Sequence, residues 1–179
     1  MTSTKHYEPP ARIVARIPVR DVLRHKGEHL WSIAPDAAVH DAVEIMARAR
    51  VGALVVLEGG TLVGIMSERD CVRKVLLEGR AARHTLVSEI MVAEVITVGH
   101  DSSLQDCMEL MTQRRVRHLP VVEGGRVTGM ISIGDAVRET LLQQRDALNE
   151  LERYVAGEPR LREPDSADAS PQPAQPSMR

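Results

Sequence analysis

Two stretches of the chain carry the same order of apolar and polar positions. In each, a short apolar run ("LWSIA", "VITVG") precedes a segment whose apolar residues recur at three- and four-residue steps. Two further apolar runs follow, joined by "EGG". This pattern predicts short strands at the first runs and helices over about 37–49 and 102–114. Val39, Val43, Ile45 and Met46 approximate one face of the first helix, and Leu104, Met108, Leu110 and Met111 one face of the second. "VGALVVLE" and "VRHLPVVE" have strand length, and "TLVGIMS" and "RVTGMIS" read as the return strands. The glycine pairs suit a hairpin turn, which needs positive φ, and no helix follows them as a phosphate loop would require. Second helices begin near Glu68 and Gly134, so each stretch is β-α-β-β-α.

The two stretches superpose in sequence without a gap at a shift of 65, which lays residues 30–77 on 95–142. Of these 48 positions 18 are identical, and mismatches such as Ile33/Val98 and Ile45/Leu110 conserve volume. The chain is an internal duplication. One unit of three strands and two helices is too small to bury both faces alone. The expected fold class is therefore α+β: tandem β-α-β-β-α repeats packed sheet to sheet about a pseudo-twofold, sharing one core. The expected organisation is an N-terminal extension (1–16), a first repeat domain (17–80), a second with an extended last helix (81–157) and a disordered tail (158–179). "IPVRDVL" before repeat 1 corresponds to the linker "GRAARHTLVSEIM" before repeat 2, and "RHKGEH" adds three residues that repeat 2 lacks. The last helix, from about 134 to 156, continues an apolar stripe through Val137, Leu141, Leu148, Leu151 and Val155. A stripe that outlasts its repeat needs a partner surface, on its own module or on a second chain.

Composition narrows the function. Hydrophobic residues make up 43% of the 179, enough for an aliphatic core, and the net charge of −2 argues against a nucleic-acid binder acting through bulk electrostatics. Tyr7, Trp31 and Tyr154 are the only aromatics, too few for a base-stacking platform. Cys71 and Cys107 form no metal or redox motif and read as reduced thiols. No apolar run reaches membrane-span length and the N-terminus has no signal-peptide core, so a cytoplasmic protein is expected. No nucleophile–base pair, metal-ligand spacing or paired acid and base is evident, so no enzyme is expected, and an NAD-dependent activity is the weaker alternative.

The duplicated chemistry lies in "GIMSERD" (64–70) and "GMISIGD" (129–135). Ser67 and Asp70, and likewise Ser132 and Asp135, fall at a strand end and on the first helical turn. A carboxylate there can accept both hydroxyls of a ribose, and the hydroxyl can help hold phosphate. A Ser-x-x-Asp pair is equally the signature of a helix cap. The glycines are expected to keep the strand thin where a flat base approaches.

This frame on a duplicated β-α-β-β-α unit resembles the cystathionine β-synthase (CBS) domain family, whose tandem pairs form Bateman modules. The resemblance covers about residues 17–156, and "VRHLPVV" with "GMISIGD" resembles the second domain of a pair. It implies a regulatory sensor acting on a partner protein, with an adenosyl ligand: AMP, ATP, NAD(H) or S-adenosylmethionine. By that resemblance Asp70 and Asp135 hold ribose, Ser67 and Ser132 sit by ribose or phosphate, and Ile65 and Met130 lie beside the base, its edge read by the backbone of "LWSI" and "VITV". Arg117 and His118 reach phosphate. It further implies a homodimer formed through the CBS helices; an oligomerisation scaffold with empty clefts is the alternative. Repeat 1 has Gly52-Ala53 where repeat 2 has Arg117-His118, so one cleft is expected to be more cationic than the other. The stronger phosphate site is expected to combine Ser67, Arg69 and Asp70 with Arg117 and His118.

Overall fold

The structure is a computed structural model, which describes residues 17–27 and 29–156. The expected N-terminal extension (1–16) and the expected disordered tail (158–179) lie outside the described residues. Repeat 1 contains β1 (Ser32–Ile33), α2 (Val39–Ala49), β2 (Ala53–Glu58), β3 (Thr61–Ser67) and α3 (Glu68–Cys71), which runs on into a π-helical turn at Val72–Leu76. Repeat 2 contains α5 (Leu104–Arg114), β4 (His118–Glu123), β5 (Arg126–Ser132) and α6 (Ile133–Val155). Two shorter helices precede the repeats: α1 (Val19–Lys26) and α4 (Val87–Ile90).

The hairpins form as their glycine pairs require. Gly59 and Gly60 have φ of 55° and 85°, Gly124 and Gly125 of 55° and 79°, and β2–β3 and β4–β5 pair antiparallel with an irregularity at the same place in each. The leading strands are shorter than expected. β1 pairs parallel with β2 through two residues, and "VITVG" makes only an isolated parallel bridge, Val98 to Val121. The buried helix faces also differ from the expected stripe. Val39, Ala42 and Met46 are buried on α2, and Leu104, Cys107 and Met111 on α5, whereas Val43 is 42% exposed. The small residues Ala42 and Cys107, not their larger neighbours, let these helices approach the sheets.

Instead of one shared core there are two, one per repeat, and the helices before the repeats are exchanged between them. Val19 and Val22 of α1 pack with Leu104, Cys107, Met111, Leu119 and Ile131 of repeat 2. Val87 and Ile90 of α4 pack with Val39, Met46, Leu54, Val56 and Met66 of repeat 1. Backbone hydrogen bonds fix both exchanges: Leu104 N–H donates to Ile17 O (2.8 Å) and Val19 N–H to Ser102 O (3.0 Å), while Val39 N–H donates to Thr85 O and Val87 N–H to Ala37 O (both 2.9 Å). The repeats meet where β3 contacts β5. Ala53 and Val55 are fully buried yet belong to neither core, because they alternate with Leu54 and Val56 and face the other side of the sheet.

The glycines of the seven-residue frame have a different reason from the expected one. A Cβ on Gly64 would lie 2.5 Å from Met91 Sδ, and one on Gly129 would lie 2.8 Å and 2.9 Å from the two methyls of Leu23. They are thin for the exchanged segments, not for a base. Gly129→Ala is accordingly expected to cost about 1–3 kcal/mol by overpacking, and Leu23→Ala in the same chain to recover part of it. Urea unfolding of the two single variants and the double variant checks this; strictly additive losses would contradict it.

Candidate functional site

At the end of β3, Ser67 caps α3. Its Oγ accepts from Asp70 N–H (3.4 Å), while Asp70 Oδ2 accepts from Ser67 N–H (2.9 Å) and from the Ser67 hydroxyl (2.6 Å). The capping reading of the frame is therefore real. It uses one carboxylate oxygen only: among the described residues Asp70 Oδ1 accepts no hydrogen bond, and it remains able to accept from a ligand.

Ser67 and Asp70 line a cavity of about 210 Å³ with Ile65, Arg69, Arg73, Val92, Val95, Ile96 and the segment Arg115–His118. The cleft thus draws on both repeats. β3 and α3 supply the hydroxyl and the carboxylate, and the turn from α5 into β4 supplies the basic segment. Arg115 makes that turn with a left-handed φ of 55°, and its carbonyl accepts from Arg69 Nη1 (3.4 Å). Ile65, Ser67, Arg69, Asp70, Arg117 and His118 all line this one cavity. The apolar residues beside Ile65 are Val92 and, from "VITV", Val95 and Ile96; no residue of "LWSI" lines this cavity.

Three charged lining residues escaped the sequence reading: Arg73, Arg115 and Glu94. For the arginines a signal existed, because the repeat superposition keeps both, as Arg138 and Arg50. With them the cavity wall carries Arg69, Arg73, Arg115 and Arg117 against Asp70 and Glu94, an excess of positive charge suited to a phosphate-bearing ligand. His118 does not add to that charge at neutral pH. Burial, then the neighbouring charges of Arg117, Lys26 and Arg69, push its pKa down to about 4 against the opposing pull of Asp135.

The second copy, Met130, Ser132 and Asp135, lies apart from this cavity. Ser132 and Asp135 form the same cap, with Asp135 Oδ2 accepting from Ser132 N–H (2.9 Å) and from the Ser132 hydroxyl (2.7 Å). Here the carboxylate has a further partner, the Lys26 ammonium of α1 at 2.7 Å, and the same ammonium donates to Met130 O at 3.0 Å. Burial opposes ionisation of Asp135, but the hydrogen bonds from Lys26 and Ser132 outweigh it and hold the carboxyl below its usual range. Cys71 and Cys107 are raised to about 11, chiefly by burial, and stay thiols.

Among the described residues no helix is long and apolar enough to cross a membrane. The family model for the CBS domain matches residues 14–77 and 87–141. A CBS domain-containing protein of Arabidopsis thaliana, CBSX3, mitochondrial, is 40% identical over 149 residues, which span 78% of this chain and 72% of that one. A CBS-domain-containing protein from Agrobacterium tumefaciens superposes with a TM-score of 0.67 at 38% identity, covering 69% of this chain and 99% of that one. The CBS domain pair of MJ0100, solved in complex with 5′-methylthioadenosine and S-adenosylmethionine, superposes with a TM-score of 0.62 at 24% identity, covering 70% and 96%.

Proposed function

Because this chain belongs to the CBS domain family and carries two such domains in tandem, we propose that it is a regulatory module that binds an anionic adenosyl nucleotide and passes the binding event to a partner protein. The observation that carries this reading is the cavity in which Ser67 and Asp70 of one repeat meet the arginine-rich segment of the other. Asp70 offers a carboxylate oxygen to the ribose diol, Ile65 and the backbone of Val92 to Ile96 offer an apolar slot to the base, and the arginines offer charge to phosphate. That charge favours AMP, ATP or NAD(H) over S-adenosylmethionine, which has no phosphate. The MJ0100 pair gives an adenosyl precedent on the same fold. The module acts through binding rather than catalysis, in the cytoplasm and as a homodimer. Exposed apolar side chains on α6, Leu141, Leu148, Leu151 and Val155, support self-association.

The test is a thermal-shift screen of the chain against AMP, ADP, ATP, NAD+, NADH and S-adenosylmethionine. A ligand at 100 times its Kd stabilises by about 2.7 kcal/mol, a shift of a few degrees. Asp70→Ala is expected to abolish the shift. Arg117→Ala is expected to weaken binding roughly 10- to 100-fold, the worth of a charge-assisted hydrogen bond. Silence with all six ligands would leave an oligomerisation scaffold as the better reading.

A further inference from the structure

The exchanged helices make the two clefts unequal in a way that the arginine asymmetry does not describe. Leu23 covers Gly129 and Met91 covers Gly64, so α1 and the segment after α4 correspond at a shift of 91 − 23 = 68. At that shift Lys26 corresponds to Glu94, which lines the open cavity. After α4 the chain leaves the helix at once and pairs with the strand: Val92 N–H donates to Ile65 O (2.9 Å) and Ile65 N–H to Val92 O (3.0 Å). In front of repeat 1, "RHKGEH" carries three more residues and α1 runs on to Lys26. No such pairing forms with Met130 among the described residues. The Lys26 ammonium bridges the Met130 carbonyl and the Asp135 carboxylate instead. Its neighbour His25 places Nδ1 3.2 Å from Glu139, one turn further along α6. The last turn of α1 is thereby held against the first turns of α6 at two successive points.

We propose that Lys26 is a built-in occupant of the second cleft: its ammonium fills the place of a ribose between the Asp135 cap oxygen Oδ2 and the Met130 carbonyl, with Arg138 3.8 Å from the other carboxylate oxygen, so the module binds one nucleotide per chain, at Asp70. This inference rests on the adenosyl reading of the clefts. A nucleotide can enter at Asp135 only by displacing an ammonium that makes two hydrogen bonds there. No counterpart stands at Asp70, because Glu94 occupies the corresponding position.

The experiment is isothermal titration of the wild-type chain and Lys26→Met with AMP, ATP, NAD+ and S-adenosylmethionine in turn, with Asp70→Asn and Asp135→Asn in both backgrounds. Methionine keeps the aliphatic stem, and Val19 and Val22 still anchor α1; circular dichroism checks that each variant is folded. The expected result is one site in the wild type, lost with Asp70→Asn, and two in Lys26→Met, the second lost with Asp135→Asn. One site in both chains overturns the inference and leaves the Asp70 reading standing, and two sites in the wild type do the same. No site in the wild type but one in Lys26→Met, lost with Asp135→Asn, upholds the Lys26 inference and removes the Asp70 reading. No site in either chain removes both.

Discussion

Val22→Asp is expected to abolish cooperative folding, although Val22 precedes the first repeat in sequence. The side chain is 1% exposed and packs among Leu104, Cys107, Met111, Leu119 and Ile131. An unpaired carboxylate in that aliphatic site costs several kcal/mol, which is comparable with the whole stability of a domain of this size. Val22→Ala is the graded form: two methyl groups and the cavity they leave cost about 2–3 kcal/mol. Arg24→Ala, two residues on with its side chain 75% exposed, is the control and should stay within about 0.5 kcal/mol. Urea unfolding followed by circular dichroism reads all three. A loss below about 1 kcal/mol for Val22→Asp would show that α1 is not docked on repeat 2. The mirror variant, Val87→Asp, strikes the repeat 1 core and should behave alike, because the exchange is symmetric.

The exchange also marks where the sequence stops being legible. Much that is local and duplicated could be read: the hairpin at Gly59-Gly60 and at Gly124-Gly125, the helices before them, and the repeat itself. Each of these follows from periodicity or from a glycine's positive φ, and each occurs twice. The cleft between repeats was legible in part. Ser67 and Asp70 stand out by residue type at a joint that recurs in both repeats, and Arg117 and His118 through the family resemblance, whereas nothing in the sequence reading singled out Arg73 or Arg115. Only the long-range fold decides that these two converge. The buried helix faces were misjudged because apolar patterning weights large residues, while the structure needs Ala42 and Cys107 where helix meets sheet. The glycines at 64 and 129 were assigned to the wrong neighbour for the same reason: a missing side chain in sequence does not say what fills the space. Lys26 lay beyond reach, since its partner Asp135 is 109 residues away. The three-residue insertion around it was visible, but its consequence, a helix that continues instead of pairing, was not.

Stability is expected to fall between pH 7 and pH 5, and His118 is the group responsible. In the folded chain its pKa is about 4, against 6.5 as the ordinary value. The unfolded chain therefore binds a proton that the folded chain refuses throughout that interval, and stability decreases as pH decreases. The contribution is complete above pH 6.5 and gone by pH 4. At about 1.4 kcal/mol per pKa unit it amounts to roughly 3 kcal/mol in all. The cause is structural. The ring is largely buried, with Arg117, Lys26 and Arg69 around it and only Asp135 favouring the imidazolium, and Asp135 is already committed to Lys26. The lowered carboxyls do not blur the window. Asp135 and Glu89 start from 3.8 and 4.5 and move down, so their contributions are lost only below those values. Urea-unfolding free energies at pH 7, 6 and 5 check the slope, and His118→Gln should flatten it while leaving the acid limb below pH 4 in place. A saturating nucleotide should shrink the loss as well, because a phosphate in the cavity that His118 lines favours the charged ring. An unchanged slope in His118→Gln would mean that the ring takes up its proton at the same pH in the folded and unfolded chains, so that the cavity gains a fifth positive charge only as pH falls through 6.5.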